Sequence, residues 1–215
     1  SQPLIDRRCM MEKMKSSLFN MVMVLVGFAI VIAVLLAWVN HITKAPIKAK
    51  AEKTLQDGIQ EVMQTQDMKV TKNDTVRQMA DGKETVFVVH EVANQAGKGI
   101  GAAVESTVMG FGGDLKVLVG FDDLGKILGY TILQTSETPG LGMKADKWFQ
   151  KDGKGNVIGK SPATGDLAVS KDGGDVDAIT ASTITSRAFL KAINQAYAAY
   201  AHKGVDGDSG ASKQI

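Results

Sequence analysis

An uninterrupted apolar run over residues 18–39 constrains this chain most, because it contains no charged side chain and a single amide, Asn20. A helix of about 22 residues is roughly 33 Å long, enough for a hydrocarbon core of about 30 Å. Trp38 stands at its far end, where an indole ring favours the water interface. A signal peptide, with its shorter apolar region, and a buried core helix are the alternatives. The run predicts one transmembrane helix.

The flanking charges leave the orientation of this span open. Basic residues stand on both sides of it, and long domains cross membranes largely regardless of flanking charge. Residues 1–17 form the segment before the span. Residues 1–9 look unlike the rest and are interpreted as a remnant of expression or processing that precedes a natural start at Met10 or Met11.

Beyond the span, the pattern predicts a helical connector over residues 40–64. Pro46 is expected to end the span, because proline breaks the helical hydrogen-bond ladder. Residues 47–63 then repeat apolar side chains at helical spacing. The polar residues 64–75 are predicted to form a turn.

Four short segments rich in β-branched and aromatic residues predict an antiparallel meander. They cover residues 85–92, 99–108, 115–122 and 126–134. The sequence at 122–125 reads as a hairpin turn, with Gly125 supplying a positive φ.

The remainder of the chain is predicted to be a loop, a helix and a tail. Residues 151–175 are polar and form a loop, with a short strand at 166–170. Residues 185–200 show the clearest soluble helix, with apolar side chains on one face. The Gly-, Ser- and Asp-rich residues 203–215 are predicted to be disordered. The soluble part is therefore a single α+β domain over residues 65–202.

Composition excludes several classes of function. The net charge of +2 argues against a nucleic-acid-binding protein, which would carry a clustered basic excess. Cys9 is the only cysteine, so neither an intramolecular disulfide nor a cysteine-built metal cluster forms within one chain. The three histidines are scattered, which predicts no metal site, and His90 is expected to be a surface or half-buried residue of a strand. No nucleophile–base pair is visible, so no catalytic residue is assigned.

Residues 177–186, DAITASTITS, place hydroxyl groups at the predicted start of the last helix. A helix N-terminus offers unpaired N–H groups and a partial positive charge, which together hold a phosphate. Thr180, Ser182 and Thr183 add hydroxyls there, and Arg187 is placed to pair with the anion. The alternative is ordinary helix capping without a ligand.

Residues 136–142, SETPGLG, form a Pro-Gly turn directly after a strand. Together the two segments resemble the FMN-binding domain of the G subunit of the Rnf ion-translocating oxidoreductase. The C subunit of the Na⁺-pumping NADH:quinone oxidoreductase shares this domain. The sequence GFGGD at 110–114 and Trp148 also fit the family pattern, so the resemblance covers residues 11–200.

In that family a motif Asp-x-x-(Ser/Thr)-Gly-Ala-(Ser/Thr) receives FMN from FAD through a flavin transferase, as a phosphodiester on its last residue. The match here begins at Asp177 and implies Thr183 as the acceptor. Ala181 and Ser182 replace the family's Gly-Ala pair. We expect a crowded approach at Ala181 and a competing hydroxyl at Ser182, with flavin attachment retained.

The resemblance implies a set of FMN-binding residues, several of which have a structural alternative. Asp177 orients the loop or is a plain turn residue. Glu137 contacts the isoalloxazine ring or merely satisfies loop amides. Lys144 lies near the flavin or in solvent, and Trp148 is expected in the core. The full set is Thr183, Asp177, Thr180, Ser182, Thr185, Glu137, Thr138, Gly140, Leu141 and Gly142.

The function implied by the resemblance is electron transfer through covalent FMN, in a membrane complex that couples ferredoxin and NAD⁺ to ion transport. The span would lie in a bacterial inner membrane, with residues 1–17 cytoplasmic and the soluble domain outside. Other subunits of the complex, the flavin transferase and membrane lipid are the implied partners, and nucleic acid is not. Two alternatives remain, a quinone-reductase C subunit and a membrane-anchored module without flavin.

Overall fold

The computed structural model describes residues 3–65, 67–80 and 82–208, which divide into two compact units after Lys53. The helices are α1, Pro3–Met63; α2, Ala145–Trp148; and α3, Thr183–Asp208. The strands are β1, Met68–Ala80; β2, Lys83–Asn94; β3, Gly99–Met109; β4, Asp114–Asp122; and β5, Ile127–Thr135. Short 3₁₀ helices occupy Gly142–Lys144, Pro162–Thr164 and Ser170–Asp172.

The first unit contains the apolar part of α1. Within the described residues, Phe19–Thr43 is the one helical stretch long and apolar enough to cross a bilayer, with a mean hydropathy of 3.0 and none of it buried. This stretch matches the predicted span. The apolar stretch ends at Thr43, before Pro46, but the helix itself does not, because α1 continues through Pro46 to Met63. A proline removes one hydrogen bond from the ladder, and the turns on either side keep theirs.

The second unit is built on a five-stranded antiparallel sheet in the order β1-β2-β3-β4-β5. Its last four strands confirm the predicted meander, and Gly125 has the predicted positive φ, 75°. The turn predicted at residues 64–75 is wrong beyond Asp67, because β1 begins at Met68. Polar side chains suit an edge strand that faces water. The two-residue Asp-Gly connection between Ala80 and Lys83 is the hairpin signal for this strand.

Helix α3 packs on one face of the sheet and forms the main core. Phe189 lies between two other rings, 4.7 Å from Tyr130 edge to face and 4.3 Å from Phe149 in a stack, measured between centroids. Offset and edge-to-face ring pairs add stability beyond the area that they bury. The predicted apolar face of this helix is confirmed, since Phe189, Ile193 and Ala196 are fully buried.

The other face of the sheet is covered by residues 54–63, the last turns of α1. Ile59 and Val62 are buried there against Leu118 of β4. The backbone approach is close, because a Cβ added at Gly120 or Gly129 would stand 2.6 or 2.9 Å from the Val62 carbonyl oxygen. Glycine at these two positions lets the helix end seat directly on the strands.

The segment between β5 and α3 holds less regular structure than predicted. In place of a strand at 166–170, Val169 makes only an isolated parallel bridge to Val176. Helix α3 begins at Thr183, two residues before the predicted start, and runs to Asp208. Disorder of residues 203–215 stays a prediction, and residues 209–215 lie outside the described part of the chain.

His90 is buried rather than exposed or half-buried, with 3% of its area exposed. Its ring nitrogens lie 2.8 Å from Asn73 Oδ1 and 2.8 Å from Glu105 Oε1. Lys116 forms an ion pair with the second oxygen of Glu105. Burial raises the pKa of the Glu105 carboxyl, but the hydrogen bonds from His90 and Lys116 outweigh it and hold the pKa below its ordinary value. The network ties four strands together through side chains.

Replacing Glu105 by glutamine should lower the free energy of unfolding of the soluble domain by about 2 to 3 kcal/mol at pH 7. This loss is smaller than that for breaking a fully buried ion pair, because Lys116 is partly exposed. A depressed carboxyl pKa contributes stability above its ordinary value of 4.5 and loses it as the pH falls through the folded-state pKa. Denaturation at a series of pH values from about 3 to 8, which includes the range where carboxyls titrate, should show the wild-type advantage shrinking toward acid. Glu84→Gln, in an exposed pair with Arg77, is the control, and an equal loss there would contradict the network.

Candidate functional site

Three segments meet at the N-terminal end of α3, and the Glu137 carboxylate joins them. Oε1 accepts hydrogen bonds from the backbone N–H groups of Phe111 at 2.7 Å and Gly112 at 3.3 Å. Oε2 accepts one from the Thr185 hydroxyl at 2.7 Å. The side chain is 4% exposed. Of the two roles left open for Glu137, the geometry is that of a residue satisfying loop amides.

Glycines surround this carboxylate at contact distance. A Cβ added at Gly110 would stand 2.0 Å from Glu137 Oε1, and one at Gly142 would stand 2.5 Å from Oε2. At Gly112 the added atom would meet the Ser136 carbonyl oxygen at 2.2 Å. These glycines leave room for the carboxylate to reach both neighbouring segments.

A buried serine shapes the loop that leads into α3. The Ser186 hydroxyl accepts a hydrogen bond from the Ile179 N–H at 2.9 Å and donates one to the Ser182 carbonyl at 2.9 Å. The Ser182 N–H donates to the Ile179 carbonyl at 3.0 Å, closing a tight turn. Sequence reasoning assigns no role to Ser186. The signal in the sequence is its position four residues after Ser182, which lets a serine hydroxyl reach back to the carbonyl one helical turn earlier.

Thr183 is the first residue of α3 and is half-buried. Its hydroxyl makes no hydrogen bond to any residue that the structure describes. The N–H groups of residues 183–185 have no partner within the helix, and no described side chain accepts from them. The expected capping bond is therefore missing from this part of the chain. The helix start presents a free hydroxyl beside free N–H groups, which suits an anion.

Ala181 adopts a left-handed backbone conformation, with φ at 63°. A side chain at this conformation costs roughly 1–2 kcal/mol, which glycine avoids. The glycine of the family motif is thus explained by backbone conformation, and the predicted crowding at Ala181 is better described as backbone strain.

Arg187 is not placed to hold an anion at Thr183. Its guanidinium forms a two-point pair with the Asp172 carboxylate, at 2.7 Å from Nε and 2.7 Å from Nη2. The hydrogen bond from Arg187 lowers the pKa of Asp172 below its ordinary value. The predicted pairing of Arg187 with a phosphate is therefore replaced by an internal ion pair.

Asp177 and Trp148 fix the loop before α3. The Trp148 indole N–H donates to the Asp177 carbonyl at 2.8 Å, while the ring packs at the edge of the core. The Asp177 carboxylate accepts from the Ser170 hydroxyl at 3.1 Å and is otherwise exposed. Thr180 is also exposed and follows three residues later.

The loop after β5 is closed by its own backbone. The Thr138 carbonyl accepts from the N–H groups of Leu141 at 3.2 Å and Met143 at 3.3 Å. Gly140 supplies the positive φ that this turn requires, 75°. Thr138, Lys144 and the side chain of Leu141 are exposed.

The joined segments also carry a rim of exposed large apolar side chains. Outside the apolar stretch Phe19–Thr43, only Met79, Val86 and Leu124 are comparably exposed among the described residues. Exposed apolar side chains on segments that meet at the start of α3 suit contact with an apolar planar group. Sequence reasoning misses most of the rim, because the sequence alone does not distinguish an exposed apolar side chain from a buried one. The rim consists of Met109, Phe111, Leu141, Met143 and Ile184.

The site as a whole fits FMN. The free Thr183 hydroxyl and helix N–H groups suit its phosphate, and the apolar rim suits its ring. Within the described residues no group of three His, Cys, Asp or Glu side chains is arranged for a metal ion.

Comparison with known proteins identifies first the class of domain and then the protein family. Residues 110–198 match the family model of the FMN-binding domain, and residues 11–62 match that of the RnfG N-terminal region. A similar protein from Shewanella oneidensis bears the name of the G subunit of an ion-translocating oxidoreductase complex. It is 34% identical over 178 residues, 79% of this chain and 82% of the relative.

Relatives of the same name occur in other bacteria. That of Vibrio parahaemolyticus is 32% identical and spans 77% of this chain and 81% of its own length. That of Escherichia coli is 35% identical over 57% of this chain and 59% of its own. The chain belongs to the family of G subunits of Rnf-type ion-translocating oxidoreductase complexes.

Replacing Ala181 by glycine should raise stability by about 1 kcal/mol, since the relief of left-handed strain exceeds the added chain entropy. The thermal midpoint of the detergent-solubilised protein should rise by about 2 to 4 °C. Ala163→Gly, at an exposed position without positive φ, is the control and should be destabilising. An unchanged or lower midpoint for the Ala181 variant would show that the strain is absent.

Proposed function

We propose that this chain is the electron-transfer subunit of a complex that links reduced ferredoxin and NAD⁺ to ion transport. It carries FMN as a phosphodiester on Thr183. The observation that carries the proposal is the free Thr183 hydroxyl at the start of α3, next to unpaired helix N–H groups and an apolar rim. The similarity to named G subunits supports the setting in a membrane complex.

The burial of the neighbouring hydroxyls favours Thr183 as the acceptor. Thr185 is 2% exposed and donates its hydroxyl hydrogen to Glu137. Ser182 is 9% exposed and lies in the tight turn closed by Ser186. Thr180 is exposed but precedes the helix, so it lacks the adjacent N–H groups. Among these hydroxyls, Thr183 alone combines access with the helix start.

The attachment step is a phosphoryl transfer from FAD, assisted by a flavin transferase. The Thr183 oxygen would attack the phosphorus of the FMN half, and its hydroxyl proton would pass to solvent. The bond from that phosphorus to the oxygen bridging the two phosphates would break, and AMP would leave with the electron pair of that bond. The N–H groups of residues 183–185 stabilise the negative charge on the phosphate oxygens.

The protein's own residues then fix and shield the cofactor. FMN supplies the redox chemistry, since it accepts two electrons and releases them singly. The helix start holds the phosphate, and the rim excludes water from one side of the ring. Glu137, buried below, keeps the surrounding loops together. The residues proposed as cofactor-binding also include Asp177, Thr138, Gly140 and Gly142.

The membrane arrangement belongs to the same proposal. Residues 18–39 cross the inner membrane once, in contact with lipid, and the soluble domain lies on the extracytoplasmic side. A covalently attached flavin suits that side of the membrane. The FMN pool is cytoplasmic, and the covalent bond keeps the flavin from being lost outside it. The match of residues 11–62 to the RnfG N-terminal region favours this complex over a quinone-reductase C subunit.

Thr183→Ala should abolish covalent flavin in protein made together with the flavin transferase, because no other accessible hydroxyl of the described residues lies at the helix start. An ultraviolet-fluorescent band on a denaturing gel and the intact mass measure the loss. Thr180→Ala removes an exposed hydroxyl in the same motif and should keep the band. A band that persists in Thr183→Ala would move the attachment to another residue. No band in wild-type protein would favour a module without flavin.

A further inference from the structure

Glu137 is a buried carboxylate whose oxygens are engaged by donors from two other segments. Within the described part of the chain it forms no ion pair with lysine or arginine. Its charge is stabilised instead by the N–H groups of Phe111 and Gly112 and by the Thr185 hydroxyl, at 2.7, 3.3 and 2.7 Å. A buried carboxylate without these donors would be costly, so the contacts hold each other in place.

The contact between Glu137 and Thr185 removes a second hydroxyl that could accept the flavin phosphate. Thr185 carries the same hydroxyl as Thr183, two positions further along the helix. Residues two apart on a helix point about 200° apart, so the two hydroxyls face different sides. The Thr185 hydroxyl is buried against Oε2 of Glu137, and its hydrogen is already donated. It is therefore closed to a phosphoryl donor.

We propose that Glu137 is a positioning residue that makes Thr183 the flavin acceptor, by retaining the Thr185 hydroxyl and fixing the first turn of α3 to the loop at 110–113. This inference rests on the proposed attachment of FMN to Thr183. Shape matters more than charge in this role. Glutamine can still accept from the loop amides and can donate to the Thr185 oxygen, whereas alanine releases both segments.

The test uses the full chain in membranes, produced with the flavin transferase, and peptide mass spectrometry to locate the flavin. Thr183→Ala alone should carry none. The double variant Thr183→Ala/Glu137→Ala should carry flavin on Thr185, because losing the Glu137 contacts frees the first turn of α3 from the loop at 110–113 and exposes that hydroxyl. Thr183→Ala/Glu137→Gln should remain without flavin. A role of Glu137 in folding alone would not move the flavin to a second residue.

A matched control removes another carboxylate that binds α3. Asp172 pairs with Arg187 on the same helix, and Thr183→Ala/Asp172→Ala should carry no flavin. With Thr183 intact, Glu137→Ala should lower flavin on Thr183 by about tenfold, the scale expected when hydrogen bonds to a charged group are lost. Glu137→Gln should restore most of it.

The outcomes separate this inference from the function on which it rests. Wild-type protein without any flavin would remove the proposed function. Flavin on Thr183 in wild-type protein, with none on Thr185 in a folded Thr183→Ala/Glu137→Ala variant, would overturn the role of Glu137 alone. Circular dichroism checks folding. If the alanine variant does not fold, Thr183→Ala/Glu137→Asp is judged in the same way, because the shorter carboxylate cannot reach both segments.

Discussion

The site depends on the hydrogen bonds of one carboxylate that is almost completely buried. Two backbone N–H groups of the loop at 110–113 and one hydroxyl of α3 point at Glu137, and each would lack an acceptor without it. An unmade buried hydrogen bond costs about 1–3 kcal/mol, so the three contacts are mutually dependent. The glycines at 110 and 142 belong to the same constraint, because a side chain at either position would displace the carboxylate.

The position of this carboxylate is in turn set by the core. Helix α3 packs on the sheet through Phe189, which contacts Tyr130 and Phe149. The first turn of α3 therefore lies at the end of β5, where the 136–142 loop begins. Trp148 adds a second anchor through its hydrogen bond to the Asp177 carbonyl. The strain at Ala181 is sustained by these surroundings. Packing thus places Thr183 next to the rim, and the hydrogen bonds of the neighbouring loops fix the direction of the first turn of α3.

The fold is predictable where hydrophobic pattern decides it, and less so elsewhere. The span, four strands and the last helix follow from hydrophobic pattern, since the strands are short β-branched and apolar runs, the last helix buries one face and the span is apolar all round. Strand β1 escapes prediction because an edge strand with polar side chains lacks that pattern, although the Asp-Gly pair marks its hairpin. The burial of His90 is equally hidden in the sequence, because it depends on Glu105 and Asn73, which are distant along the chain.

Motif resemblance points to the candidate site, but the contacts inside the site are long-range and do not follow from spacing. Nothing in the order of residues pairs Glu137 with Thr185, which lie 48 positions apart. The positive φ of Ala181 likewise belongs to the tight turn that the Ser182 N–H closes on the Ile179 carbonyl. The pairing of Arg187 with Asp172 reverses the simplest electrostatic expectation, because an available guanidinium beside a helix N-terminus is usually assigned to the ligand.

That reversal bears on why the proposed linkage is covalent. With Arg187 engaged by Asp172, the described residues at the helix start offer a phosphate N–H groups and a helix dipole. A phosphate monoester carries about −1.5 to −2 charges at neutral pH, which a helix end alone neutralises poorly. A phosphodiester carries a single charge, which the N–H groups of residues 183–185 are better matched to hold. Retention then depends on the bond to Thr183, and the apolar rim is left to orient the ring.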